Sequence, residues 1–318
     1  MNRLFYNLSK GLPSENYLTN AFVALLTELL EDGNAHADEN VALEVLNLIA
    51  KEKEQPGFAL DRSICIKAQV RANGEHLDIP DITISSNLPD GTSRMVYIEV
   101  KDRDNVRKGQ LVKYKGKLDC SHAEIRCLTL LCRPTTQIEP EDEEVLKSQR
   151  VYWSEVYYII RRSKERTQVG KYLLDSFMSF LEEKNMQLKE VTGDCASIKR
   201  ESLDDLVSLV NLLSLAMRQA GFERVSSIKM ESGCETGPEE EPWTWVGLYG
   251  SYNSQQFSFG IHVYSSSPTE LKLELQKEPD YPYKELEWVE LQSLSSTDQL
   301  RQLQTFLEES AKRLLGIT

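Results

Sequence analysis

The stretch DIPDITISSNLPDGTSRMVYIEVK, residues 78–101, decides how this chain is read. IPDITIS at 79–85 and RMVYIEVK at 94–101 carry the alternating, β-branched pattern of two strands. Between them, Asn87-Leu88-Pro89-Asp90-Gly91 supplies the residues that reverse a chain. In an antiparallel hairpin, paired residue numbers have a constant sum. A turn centred near Asp90 sets that sum near 180, to within one residue, and Asp81 and Glu99 meet it. The two acids are therefore expected opposite each other, with β-carbons about 5 Å apart.

Two carboxylates that close repel, and one of them would have to keep its proton. A divalent cation between them removes the conflict. Hard oxygen ligands favour magnesium, for which manganese can substitute. Lys101 follows Glu99 by two residues, on the same strand face and about 7 Å further along. A lysine there can orient a water molecule or stabilise charge on a phosphate, so the set has the parts to hydrolyse a phosphodiester. An acid and a lysine one residue apart are common in a charged chain. Glu182-Glu183-Lys184 has the same letters in a helical pattern, where a solvated face is the plain reading. Context separates the two cases. Glu99 and Lys101 end the apolar run Met95-Val-Tyr-Ile, and the upstream strand supplies Pro80-Asp81.

Working outward, Ser14 can cap a helix in which Leu18, Phe22, Leu25, Leu26 and Leu29 recur at helical spacing. A second helix is expected at about 38–53 and a strand at 62–70. Residues 106–118 read as a helix with Leu111, Tyr114 and Leu118 on one face. EIRCLTLLC at 124–132 is almost continuously apolar, which predicts a strand covered on both faces. Helices are expected at 140–149 and 153–184. The first part thus reads α-α-βββ-α-β-α-α. The apolar pattern lapses near 185–200, which suits a linker. A second α+β part follows: helix 202–220, five strand-like runs, and a helix at 296–314. The expected domains are 1–190 and 195–318.

Residues 14–132 resemble the PD-(D/E)XK nuclease superfamily, whose core is α-βββ-α-β. Pro80-Asp81 matches its PD element and Glu99-Val100-Lys101 its E-x-K element. Gln110-Leu111-Val112-Lys113-Tyr114 is similar to its Q-L-x-x-Y signature, and Glu15 to the glutamate of its first helix. The resemblance implies an α/β, restriction-endonuclease-like core followed by a C-terminal α+β domain. It also implies that Asp81, Glu99 and the main-chain carbonyl of Val100 bind the metal. Lys101 would position or activate the attacking water, Gln110 would support the site, and Glu15 would lie behind it or serve a second metal. Asp78 competes with Asp81 for the metal role; the PD element and the hairpin register favour Asp81.

The chain has 37 basic and 50 acidic residues, a net charge of −13. A uniformly acidic surface repels nucleic acid, but the charge is uneven. Lys101, Arg103, Arg107, Lys108, Lys113, Lys115 and Lys117 face only Asp102 and Asp104 in the same stretch. Beside a carboxylate pair, Lys108, Lys113 and Lys117 are read as a flank for the phosphate backbone. A second basic stretch, Lys147, Arg150, Arg161, Arg162, Lys164, Arg166 and Lys171, is read as a phosphate flank in the same way, while the interleaved Tyr152, Trp153, Tyr157 and Tyr158 read as core. None of the six cysteines forms a C-x-x-C pair, so reduced thiols are expected and a zinc site is not. The first residues lack the apolar stretch of a secretory signal, and no 18-residue apolar run occurs. A cytoplasmic protein with no membrane partner is expected.

The reading is a Mg2+-dependent nuclease, a DNA endonuclease before an RNA-cutting one, homodimeric if both strands are cut. The resemblance adds a setting in defence against phage or mobile DNA. The rival is a catalytically inactive nuclease fold that binds nucleic acid or protein. The second domain is expected to control or recognise, or else to serve as a stabilising extension that buries one face of the first. Its acidic loop at 231–241 would suit a basic protein partner.

Overall fold

The structure, a computed structural model, describes residues 14–31, 36–50, 57–58, 63–68, 79–88, 90–102, 104–146, 149–163, 168–187, 203–223, 225–226, 229–234, 242–264, 272–279, 282–287, 291 and 294–317. The protein is mixed α/β and divides into two compact units, Met1–Gln187 and Leu188–Thr318.

The first unit runs α1 (Ser14–Glu31), α2 (His36–Ala50), β1 (Cys65–Ala68), β2 (Ile82–Asn87), β3 (Ser93–Val100), α3 (Gln110–Asp119), β4 (Ile125–Cys132), α4 (Pro140–Leu146), β5 (Arg150–Tyr152), α5 (Trp153–Arg162) and α6 (Gln168–Glu183). Its sheet has the order β1-β2-β3-β4-β5. The first two pairings are antiparallel, and β3–β4 and β4–β5 are parallel. In the central hairpin Ile82 pairs with Ile98 and Ser86 with Arg94. That is the register the turn chemistry predicts, and it carries Asp81, one residue before β2, to the level of Glu99.

β4 is buried on both faces, as its unbroken apolar run requires. Leu128, Leu130 and Cys132 pack with Leu111, Tyr114 and Leu118 of α3 and Leu146 of α4. On the other face, the buried Thr129 hydroxyl donates to Ile49 O at the end of α2, 2.6 Å away. Behind the sheet an aromatic cluster joins three helices. The Phe22 ring lies edge-on to Trp153 at 5.3 Å and stacks on Phe177 at 5.9 Å. All three are almost fully buried, and losing one such ring costs about 3–5 kcal/mol.

Several boundaries differ from the sequence reading. The helix expected from 106 begins at Gln110. Val106 is buried, but in a segment outside any helix or strand, and Gly109 takes φ 71, a left-handed turn that breaks the helix before it starts. The helix expected over 140–149 ends at Leu146, and the three-residue strand β5 follows, paired to Leu130–Cys132. The helix expected over 153–184 is two helices; Ser163 turns extended at the end of α5. The ends of the expected strand 62–70, the end of the helix at 51–53 and the linker beyond 187 lie outside the described residues.

The second unit runs α7 (Leu203–Gln219), β6 (Lys229–Cys234), β7 (Pro242–Tyr252), β8 (Gln255–Tyr264), β9 (Lys272–Lys277), β10 (Tyr283–Glu287) and α8 (Ser296–Leu315). The strands form an antiparallel meander. Phe259 faces Phe306 of α8, and Gly250 lies under Met217 of α7. Gly247 and Gly260 pair on the alternate face, where the Trp245 indole lies so close that a Cβ on either would collide with it. β6 starts later than RVSSIKM suggests and runs through Cys234, so Glu231 belongs to a strand and not to the acidic loop. Residues 235–241 lie outside the described residues. Among the described residues, no helix is long and apolar enough to cross a membrane.

Candidate metal centre

Three elements deliver carboxylates to one point. Glu15 comes from the first turn of α1, Asp81 from the entry to β2, and Glu99 from the end of β3. An oxygen from each lies within 4.8 Å of the others. This is the one such group of candidate ligands among the described residues. Asp81 is fixed by its own hairpin: its Oδ2 accepts from Val100 N at 2.9 Å. Val100, expected from the resemblance to offer its carbonyl, meets the site through its amide.

Lys101 stands one residue beyond β3. Its Nζ folds back to 2.6 Å from Glu99 Oε1 and 2.9 Å from Glu15 Oε1. Gln110 opens α3 and donates from Nε2 to Glu99 Oε1 at 2.7 Å and to the Tyr114 hydroxyl at 2.9 Å. Tyr114 in turn donates to Ile79 O at 2.8 Å, two residues before Asp81. The structure therefore brings Glu15, Asp81, Glu99, Val100, Lys101 and Gln110 together. Asp78 lies outside the described residues.

Electrostatics follow from burial. Glu99 is fully buried. Burial first, and then neighbouring Asp81, push its carboxyl up to about 8 from an ordinary 4.5, although Lys101 pulls the other way. Burial also raises Glu15, against the pull of Lys101. For Lys101, burial alone favours the neutral amine, but Glu99 and Glu15 outweigh it and hold its pKa above the ordinary value. Glu99 Oε2 is buried with no hydrogen-bond partner. A carboxylate oxygen left bare among other carboxylates is costly without a cation. The three-carboxylate set fits a hard divalent ion and can hold one.

The sequence reading did not assign roles to the residues that hold this set in place. Asp142, at the start of α4, is fully buried. It accepts from Gly109 N at 2.7 Å, Leu111 N at 2.7 Å and Val112 N at 3.1 Å. These are amides at the head of α3, where Gly109 has no side chain to cap them. Asp142 thereby fixes the turn that carries Gln110. Its partners are about thirty residues away in sequence, so no local pattern marks it.

The basic residues sort less simply than their spacing suggested. Lys108 is exposed in the turn before α3, and Lys113 and Lys117 are exposed on α3. At about 100° per residue, Lys117 and Lys113 fall roughly 20° and 60° round the helix from Gln110, so they share its side of α3. In the second basic stretch, Arg150 is buried and within 3.4 Å of Glu143, so it is no phosphate contact. Arg162 pairs with Glu44 at 2.7 Å. Lys147, Lys164 and Arg166 lie outside the described residues. Tyr152, Trp153 and Tyr157 are core, as expected. Glu182, read as solvated, accepts from the Tyr157 hydroxyl at 2.7 Å.

No family model matches the chain, and no curated protein and no solved structure shows significant similarity to it.

One consequence concerns Gln110. Its amide engages Glu99 Oε1, and Oε2 is left without a hydrogen-bond partner. If the carboxylates take an ion, Gln110→Ala should weaken Mn2+ affinity by about 10–100-fold, as losing an outer-shell partner typically does. Calorimetric titration with Mn2+ measures this directly.

Proposed function

We propose that the first unit is a PD-(D/E)XK nuclease core and that the protein is a Mg2+-dependent nuclease, most naturally a DNA endonuclease. The observation that carries this reading is the carboxylate trio within 4.8 Å, with one buried oxygen bare and a lysine ammonium 2.6 Å from Glu99. A bound divalent ion lowers the pKa of water and neutralises charge on the phosphate being cleaved. Asp81, Glu99 and Glu15 supply oxygen ligands for it. Lys101, held between two carboxylates, stays protonated. Its part is to donate a hydrogen bond to the attacking water or to a non-bridging phosphate oxygen, where charge grows in the transition state. Gln110 keeps Glu99 turned, and the apolar floor of β3 and β4 excludes bulk water from beneath the site.

The decisive experiment incubates purified protein with plasmid, linear duplex, single-stranded DNA and RNA, each with Mg2+, Mn2+ or EDTA. Metal-dependent cutting supports the reading, and the preferred substrate separates DNA from RNA. Binding without cutting under every condition would favour an inactive nuclease fold. Lys101→Ala should lower cleavage by about 10²–10⁴-fold. Mn2+ affinity should stay undiminished, because the variant removes a competing positive charge. Replacing Lys113 and Lys117 together by Glu should weaken binding similarly across sequences and reduce the log–log salt slope by about two. An unchanged slope would mean that this face of α3 does not meet the backbone.

A further inference from the structure

We propose that Arg133 is a positioning residue for Lys101, one that clamps the loop after β3 to the C-terminal end of α6. The role rests on the nuclease reading of the site. Lys101 lies past the last paired residue of β3, so its placement depends on what holds the following loop. Its amide donates to Leu131 O at 2.9 Å, and Trp153 Nε1 donates to its carbonyl at 3.4 Å. The next residue, Asp102, is 2% exposed. Arg133 donates to Asp102 Oδ1 from Nε at 3.0 Å and from Nη2 at 2.7 Å. The same guanidinium donates to Lys184 O at 2.6 Å and to Asn185 O at 3.3 Å. Lys184 Nζ also comes within 3.8 Å of Asp102 Oδ2.

One planar cation thus joins a buried carboxylate beside Lys101 to two carbonyls of the turn that closes α6. That turn lies at the negative end of the helix dipole, so a cation there is favoured. Without Arg133, Asp102 would lose its main counter-charge and turn toward water, drawing the Lys101 backbone with it. The geometry needs the guanidinium fork. A lysine ammonium is a single point charge and does not span the carboxylate and both carbonyls. The clamp also closes two residues before Gln187, where the first unit ends. A pull on the chain at that exit is therefore resisted by the group that steadies Lys101.

The test uses full-length Arg133→Ala and Arg133→Lys, with Asp102→Asn as the variant that preserves volume if the first folds poorly. Three quantities are measured: cleavage rate, Mn2+ affinity, and amide hydrogen exchange by mass spectrometry. Arg133→Ala should slow cleavage by about 10–100-fold, as loss of a supporting partner does, with Mn2+ affinity unchanged to within about twofold. Exchange should rise together in peptides covering 101–106 and 181–187, while 94–99 stay protected. Arg133→Lys should behave like Arg133→Ala, and Asp102→Asn should shift in the same direction by less. Faster exchange at 181–187 alone, or wild-type cleavage in Arg133→Ala, overturns the proposal. If the wild-type protein cuts nothing, the nuclease reading fails on its own; joint exchange at the two segments would still support the clamp, and separate exchange would refute it.

Discussion

Glu99→Gln should reduce cleavage by about 10³-fold or more while leaving the fold intact. Glutamine has nearly the shape of glutamate, and its carbonyl can still accept from Lys101 and Gln110, which converge on Glu99 Oε1. What it loses is the charge and the bare Oε2. An amide is a poor ligand beside a carboxylate, and the Asp81–Glu15 pair alone is a weaker trap. Metal affinity should therefore fall by more than the roughly 10–100-fold that follows loss of an outer partner. Glu99→Ala should lose activity equally but also leave a hole against Lys101, so Glu99→Gln is the cleaner variant. Substantial cleavage by Glu99→Gln, with Mg2+ present, would remove this site from the chemistry.

Stability of the ion-free protein should fall as pH rises from about 5 to 8, and added Mg2+ should reverse the fall. The sign follows from Glu99. Its pKa is about 8 in the fold against an ordinary 4.5. Between those values the folded protein holds a proton that the unfolded chain has released. Raising the pH therefore favours unfolding across this window and stops doing so above it. Glu15, also raised, acts in the same direction. Lys101 is raised too, so its contribution is fully present across this window and is lost only at higher pH. An ion bound to the carboxylates displaces the proton, so its benefit grows with pH. At a hundredfold excess over its dissociation constant it contributes about 2.7 kcal/mol, several degrees in Tm for a unit of this size. Thermal melts at pH 6 and 8.5, with Mg2+ or EDTA, measure both effects. A flat profile in EDTA, or an equal Mg2+ shift at both pH values, would show that Glu99 is not the group held protonated. Glu99→Gln should flatten the slope and shrink the Mg2+ shift.

The hairpin was legible because turn residues and alternation act over short range. Asn87 to Gly91 fixed the sum of paired residue numbers, and Ile82↔Ile98 keeps it. The helical spacing of Leu111, Tyr114 and Leu118 was equally local, and those residues are the buried face of α3. Its start was misplaced because Val106 continues the apolar spacing from a segment that is not helical, and only the backbone of Gly109 reveals the break. β5 has three residues, too few for any period to show, and exists because β4 offers an edge to pair with. Charge counting failed at Arg150 for a related reason: a run of basic letters does not say which of them face inward. Asp102 and Asp142 read as ordinary acids. Their partners, Arg133 and the head of α3, become neighbours only through the β3–α3–β4 crossover.

Asp142 has a further consequence. The opening of a helix, with its unused amides, is a ready receptor for phosphate. In this protein the receptor at α3 is already filled from within by an aspartate. Inorganic phosphate or sulfate should find no amide socket beside Gln110 and should compete only through the ion and the flanking lysines. The opening of α3 is thus reserved for architecture. Asp142→Ser, with its shorter side chain, would leave the amides of Gly109, Leu111 and Val112 open to an anion.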